Sequence, residues 1–127
     1  MSKSRRKRVE RAKWRKSILF KAGSIPTTLE ELFERVFWRS PILAYEAMVF
    51  WNRLKEEPQG FPARDWKKWI EERKITLGQY YNILKGLRGA GMIEKRKGRY
   101  HISPRFLAEL EQMIRIYTAA TGYEARI

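Results

Sequence analysis

The stretch from residue 76 to residue 104 constrains the fold most, because its character changes twice: TLGQYYNILKGLRGAGMIEKRKGRYHISP. Apolar side chains first recur at helical spacing. They are Leu77, Tyr80, Ile83, Leu84 and Leu87. Two glycines, Gly89 and Gly91, follow, and two short apolar segments then flank a basic run. The pattern predicts a helix, an abrupt stop and a two-stranded hairpin with a basic tip.

Local signals place the ends of this helix. Thr76 is a typical N-cap residue, and Gln79 stands three residues later, at capping-box spacing. Gly89 and Gly91 are predicted to end the helix, because glycine adopts the left-handed C-terminal conformation without a steric penalty. We therefore expect a helix over about 76–89.

The hairpin is predicted over about 92–103. Residues 92–95 and 99–103 are the expected strands, since apolar and polar side chains alternate in the second of them. Lys97-Gly98 between them suits a tight hairpin turn.

Three further helices are predicted before this stretch. Thr27 and Thr28 each precede a glutamate by three residues, so one helix should begin just after them. Ser40-Pro41 combines an N-cap residue with proline at the first helical position, which predicts a second helix running to about Glu57. This second helix is apolar over more than half of its surface, as expected of the central helix of a core. A third helix should start near Pro62.

A last helix is predicted over about 104–121, opened by Ser103-Pro104 and ended before Gly122. Five apolar side chains lie along one of its faces: Phe106, Leu110, Met113, Ile114 and Tyr117. This face either completes the core or forms the interface of a homodimer through helix 104–121.

The formal net charge of +14 is concentrated in two blocks. Residues 1–22 hold ten basic residues and one acid, and residues 74–105 hold eight basic residues and one acid. The rest of the chain sums to −2. Lys and Arg side chains that neutralise phosphates release condensed counterions, so two basic blocks on a near-neutral body indicate a polyanion binder. Nucleic acid is the leading expected partner.

The first block, residues 1–22, is predicted to be a flexible basic arm, because at this charge density a free helix repels itself. The arm residues expected to contact DNA are Arg5, Arg6, Lys7, Arg8, Arg11, Lys13, Arg15 and Lys16. Polybasic segments also attract RNA, anionic membrane surfaces and acidic proteins, and these stay open as alternative partners of the arm.

Composition argues against several other classes of function. The chain has no cysteine and one histidine, His101, so no metal site is expected. No phosphate cradle or catalytic constellation is evident, so we expect neither an enzyme nor a cofactor or small-molecule substrate. Without a signal peptide or a membrane span, the expected location is cytoplasmic and nucleoid-associated. Few Asn and Gln beside many Lys, Arg and Glu residues are typical of thermophile proteins.

The predicted order of elements resembles the winged helix-turn-helix domains of archaeal and bacterial transcriptional regulators. This order is a helix, a turn, a second helix and a hairpin with a basic tip. The resemblance covers about residues 43–103. The residues on which it depends are the helix positions Ile83-Leu84 and Leu87, the glycine Gly91, and the strand entry Met92-Ile93. It implies a mainly α (α+β) fold, with a recognition helix at 76–89 and a two-stranded wing at 92–103. Extra helices would flank these elements within one domain over 23–127.

The resemblance also implies a DNA site, because a helix fits the major groove of a duplex and reads base edges there. Asn and Gln side chains can pair with adenine, and Lys can reach guanine or phosphate. The expected base-reading residues are Thr76, Gln79, Tyr81, Asn82 and Lys85. The expected phosphate-binding residues are Arg88, Lys95, Arg96, Lys97 and Arg99.

The expected function is therefore that of a double-stranded DNA-binding protein, a sequence-specific transcriptional regulator of a prokaryotic genome, such as that of an archaeon, an archaeal plasmid or an archaeal virus. Two other classes stay open. One is a sequence-tolerant architectural or replication-associated DNA binder, in which the arm supplies most of the affinity. The other is a winged helix that docks on a protein partner.

Overall fold

The computed structural model describes residues 22–124. The chain is mostly helical with one small antiparallel sheet, an α+β fold as predicted. The helices are α1 (Leu29–Val36), α2 (Pro41–Lys55), α3 (Trp66–Arg73), α4 (Leu77–Gly89) and α5 (Arg105–Thr121). The strands are β1 (Phe61–Pro62), β2 (Ile93–Arg96) and β3 (Arg99–Ile102). Apart from Ala22, the predicted arm at 1–22 lies outside the described residues.

The chain divides into two compact units, one ending at Met48 and the other beginning at Val49. In the first unit, α1 starts where capping-box spacing predicted. The Thr28 side chain accepts a hydrogen bond of 3.1 Å from the Glu31 backbone N–H, which satisfies one donor of the first helical turn. Phe33 on this helix is fully buried.

Helix α2 begins at the predicted Ser-Pro signal and ends at Lys55, two residues before the expected end. The Ser40 hydroxyl accepts a hydrogen bond of 3.2 Å from the Leu43 N–H, as an N-cap does. Only one side of the helix is buried, and Ile42 and Tyr45 are exposed. Its buried residues are Ala44, Glu46, Ala47, Phe50 and Leu54.

The second unit has an aromatic core centred on Phe50. The ring of Phe50 meets four other rings edge to face, at centroid distances of 5.3 Å to Phe61, 5.4 Å to Trp69, 5.8 Å to Tyr80 and 6.2 Å to Tyr100. Edge-to-face pairs at these distances stabilise a core beyond the area that they bury. These rings come from the C-terminal part of α2 and from β1, α3, α4 and β3, and they pack these elements of the second unit against one another.

The sheet has the order β1-β3-β2 and is antiparallel throughout. Strands β2 and β3 form the predicted hairpin. Its turn residues Lys97 and Gly98 have φ angles of 50° and 75°, the two positive values of a type I′ turn. Strand β1 was not predicted: Phe61 pairs with Tyr100, which adds a third strand to the hairpin.

Helix α4 has the complete capping box that Thr76 and Gln79 predicted. It buries Tyr80, Ile83, Leu84 and Leu87, four of the five residues of the predicted apolar stripe. Leu77, the fifth, is exposed in the first turn of the helix. The prediction for its end is correct for Gly91, which has φ of 80°, and wrong for Gly89, which is the last residue of the helix and has no positive φ. The left-handed residue is therefore needed only after Ala90, where the chain turns toward β2.

Helix α5 occupies the predicted range and ends at Gly122, whose φ is 77°. No residue of α5 is buried. On the predicted apolar face, Met113 is 43% exposed and Tyr117 70%, while Phe106, Leu110 and Ile114 are half-buried. The helix therefore keeps much of its apolar side in contact with solvent.

Candidate nucleic-acid interface

The outer face of α4 is polar and cationic. Tyr81 is 60% exposed, and Asn82, Lys85 and Arg88 are exposed beside it. These positions recur every three or four residues on the side of the helix opposite the buried stripe. The helix thus presents a phenol, an amide and two cations to solvent, which are hydrogen-bonding and charged groups of the kind that contact base edges and phosphates.

Two of the predicted base-reading residues have another task in the structure. The Thr76 hydroxyl accepts a hydrogen bond of 3.0 Å from the Gln79 N–H, and the Gln79 side-chain oxygen accepts one of 2.8 Å from the Thr76 N–H. The oxygen that Gln79 would use in pairing with adenine already accepts a hydrogen bond in the helix cap. Among the predicted base-reading residues, Tyr81, Asn82 and Lys85 have exposed side chains that the helix cap does not use.

The tip of the hairpin collects the predicted wing cations. Lys95, Arg96 and Lys97 are all exposed. Arg96 forms an ion pair of 3.2 Å with Glu94, and both side chains are well exposed, so the pair contributes little stability and can be exchanged for another anion. The Lys95 ammonium lies 5.8 Å from the centre of the Tyr100 ring, within cation–π distance.

Arg99 differs from the other wing cations because it is half-buried. Its guanidinium donates a hydrogen bond of 3.2 Å to the Gly60 carbonyl oxygen. The structure therefore uses Arg99 to hold β3 to the loop before β1, a contact that the sequence did not predict. Lys97, at the turn, is the more accessible cation.

Main-chain hydrogen bonds attach the hairpin to the end of α4. The Gly91 N–H donates to the Arg88 carbonyl oxygen at 3.1 Å, and the Met92 N–H donates to the Leu87 carbonyl oxygen at 2.9 Å. These bonds satisfy backbone groups at the end of the helix. They join the end of α4 directly to the start of the predicted wing, within the second unit.

One cleft brings predicted residues of α4 and the wing together. It has a volume of about 500 Å³, and its lining includes Arg88 from α4 and Lys95 from β2. Arg105, from the first turn of α5, lines it too. Arg105 belongs to the second basic block but was not predicted to be part of the site. No local sequence signal indicates that α5 starts beside the end of α4.

Other kinds of site find no match among residues 22–124. No group of three or more His, Cys, Asp or Glu side chains is arranged to hold a metal ion there. None of the helices in this range is long and apolar enough to cross a membrane.

Comparison with known proteins gives one result. A family profile described only as an archaeal family matches residues 26–121, which is most of the chain. No curated protein and no solved structure matches.

Proposed function

We propose that the protein, which belongs to this archaeal family, binds double-stranded DNA as a sequence-specific transcriptional regulator of the winged helix-turn-helix type. The observation that supports this most is the join between the exposed, cationic face of α4 and the basic hairpin. A helix of this size fits the major groove, where each base pair has its own pattern of donors and acceptors. A basic hairpin fixed beside it contacts the phosphates of the same duplex.

Sequence is read by Tyr81, Asn82 and Lys85 in this proposal. An exposed Asn side chain can donate one hydrogen bond to adenine and accept another from it at the same time. This pair of bonds distinguishes adenine from the other bases. Lys85 reaches a guanine edge or a phosphate, and Tyr81 a thymine methyl group or a phosphate. Thr76 and Gln79 hold the start of the helix and position these three side chains.

Affinity comes from the cations around the helix. Arg88, Lys95, Arg96 and Lys97 are exposed and bind phosphates, whereas Arg99 acts mainly within the fold. The arm at 1–22 adds charge of the same sign and increases affinity for any sequence.

The exposed apolar side of α5 supports the proposal of a homodimer. Met113 and Tyr117, two residues of the predicted apolar face, are 43% and 70% exposed. Large exposed apolar groups on one helix are typical of an interaction surface. A second copy on this face would give two recognition helices related by a two-fold axis, as a palindromic operator requires.

Equilibrium binding of the full chain to a duplex, measured across salt concentrations, tests the proposal. Five cations on the helix and wing contribute a slope of log K against log salt of roughly −4.5 if each neutralises one phosphate. They are Lys85, Arg88, Lys95, Arg96 and Lys97. Replacing Lys85 and Arg88 together by Gln is expected to weaken binding and to bring the slope toward zero by about two units.

A charge-matched double variant distinguishes the effect of these two positions on DNA affinity from the effect of the net charge. Lys67→Gln with Arg115→Gln removes the same two charges from exposed positions on α3 and α5. This variant is expected to bind the duplex nearly as the natural chain does. Equal weakening by both double variants would contradict a site on α4 and favour an arm-driven, sequence-tolerant binder. No binding of the natural chain would favour a protein partner instead.

A further inference from the structure

The cleft at the end of α4 is lined by cations from three elements. Arg88 comes from the last turn of α4, Lys95 from β2 and Arg105 from the first turn of α5. All three side chains are exposed, and the hydroxyl-bearing Ser103 lies on the same wall. With a volume of about 500 Å³, the cleft is open to a ligand larger than a water molecule.

The main chain fixes these three elements against one another. The Ser103 N–H donates to the Met92 carbonyl oxygen and the Phe106 N–H donates to the Gly91 carbonyl oxygen, each at 3.0 Å. Gly91 also lies directly against α5, since a Cβ atom there would be 3.3 Å from the Glu109 Oε2 and 3.4 Å from the Arg105 Cγ and the Phe106 nitrogen. Arg105 therefore owes its place in the cleft to the backbone at Gly91.

The cations of the cleft outweigh its acids. Glu94 and Glu109 also line it, but each already faces an arginine: Glu94 pairs with Arg96 at 3.2 Å and Glu109 with Arg105 at 3.1 Å. Within the described chain, Arg88 has no carboxylate partner. A phosphate entering the cleft would therefore meet an unpaired guanidinium at Arg88.

The pair between Arg105 and Glu109 is easily exchanged. Its side chains are 75% and 54% exposed, and ion pairs that are this accessible to water contribute little stability. A phosphate offers a guanidinium two parallel charge-assisted hydrogen bonds, which are stronger than a solvated contact with one carboxylate oxygen. A phosphate is thus expected to displace Glu109 from Arg105.

We propose that this cleft holds a backbone phosphate of the bound duplex, that Arg105 is a further phosphate-binding residue, and that Glu109 competes with the DNA for it. The inference rests on the proposed DNA binding and extends the contact surface from α4 and the wing to the first turn of α5. It also assigns opposite effects to two residues that form one ion pair.

Three single variants of the full chain test this: Arg105→Gln, Glu109→Gln and, as control, Arg115→Gln at an exposed position further along α5. Arg105→Gln is expected to weaken duplex binding about tenfold and to bring the salt slope toward zero by about one unit. Glu109→Gln is expected to strengthen binding severalfold, because it removes a negative charge from the cleft and frees Arg105. Arg115→Gln should leave both the affinity and the slope nearly unchanged.

A purely structural ion pair makes a different prediction. Both cleft variants would then lower the unfolding midpoint slightly and neither would alter DNA affinity, and this result would overturn the inference. If they have no effect while Lys85→Gln, which lies outside the cleft, still weakens binding, the cleft assignment fails and the proposed function stands. If neither set alters binding, the proposed function fails as well.

The source of the phosphate is tested by titrating the protein with inorganic phosphate. No saturable binding in the millimolar range is expected, because one phosphate alone lacks the contacts that α4 makes with the duplex. Tight binding that Arg105→Gln abolishes would assign the cleft to a free phosphate ligand and overturn the assignment to the DNA backbone.

Discussion

Among single residues, Lys97 affects both the backbone conformation of the hairpin turn and the charge at its tip, and one substitution can measure the two effects separately. Its φ of 50° lies in the left-handed region, which a lysine occupies at a cost, and it is followed by Gly98 at 75°. Asparagine followed by glycine is the preferred pair for this type I′ turn. The lysine at this position is therefore not the choice that the turn favours, and in the proposed function its charge at the exposed hairpin tip binds a phosphate.

Lys97→Asn is expected to have opposite effects on folding and on binding. The free energy of unfolding should rise by a few tenths of a kcal/mol up to about 1 kcal/mol, because Asn tolerates positive φ better. Duplex affinity should fall for all sequences, and the salt slope should move toward zero by about one unit. Urea unfolding and a salt series measure the two effects. Unchanged affinity would remove Lys97 from the phosphate contacts.

Tyr80 supports a prediction about stability and pH. Its side chain is 2% exposed, and the hydroxyl has no hydrogen-bond partner in the described chain. Burial raises the pKa of Tyr80 above its usual value, because the phenolate would be poorly solvated in the core. In the unfolded chain the tyrosine has its ordinary pKa of about 10, so above that pH it loses its proton more readily than in the folded chain. The free energy of unfolding is therefore independent of this group below about pH 10 and falls as the pH rises above it.

Tyr80→Phe is therefore expected to raise the free energy of unfolding at neutral pH by about 1 kcal/mol, because it removes a buried hydroxyl without a partner. The natural chain should lose stability above about pH 10 more steeply than this variant does. Chemical denaturation at both pH values gives the comparison. A destabilising effect at neutral pH would show that the hydroxyl has a stabilising contact and contradict this account.

Among the elements, signals within a few residues predicted each helix, but the third begins at Trp66 and not near Pro62, because Pro62 belongs to β1. Thr28, Ser40 and Thr76 each cap a helix as expected, because a cap depends on a side chain and a backbone N–H a few residues apart. Strand β1 could not be predicted in this way. It has two residues and pairs with Tyr100, which is distant in sequence, so no local periodicity indicates it.

The candidate site follows the same division. The exposed face of α4, including Asn82, could be predicted from helical periodicity alone. Two other features of the site depend on contacts between residues far apart in the sequence. Arg99 donates a hydrogen bond to Gly60, and Arg105 shares a cleft with Arg88. Such contacts become visible only when the elements are packed.

The first turn of α4 gives a paired prediction. Thr76→Ala should lower the free energy of unfolding by about 1 kcal/mol, because it removes the hydroxyl that caps the helix. Well below the unfolding midpoint the DNA affinity of this variant should change less than about twofold.

Asn82→Ala should leave the free energy of unfolding nearly unchanged. Its sequence preference should decrease at one or two base pairs, by roughly 1–3 kcal/mol. Unfolding curves and single-base variants of the bound site measure these effects.

The outcome for Thr76 distinguishes a cap from a base contact. A strong loss of sequence preference in Thr76→Ala, at unchanged stability, would place that hydroxyl on the DNA. An unchanged binding motif in Asn82→Ala would remove Asn82 from the base-reading residues.

At the scale of the whole molecule, charge and apolar surface have separate places in the sequence. Basic residues dominate 1–22 and 74–105, and the exposed apolar side chains of α5 follow the second block. In the proposed dimer, two copies of α4 would lie about 34 Å apart and contact successive turns of the major groove. The bound site should then be palindromic, with half-sites one helical turn apart.

Sequence-specific binding by α4 is tested by selecting bound sequences from a randomised duplex pool, with the full chain at about 150 mM salt. We expect to recover a motif with two inverted half-sites centred about one helical turn apart. Binding without any enriched motif would contradict it, because the face of α4 would then contribute charge but no sequence discrimination.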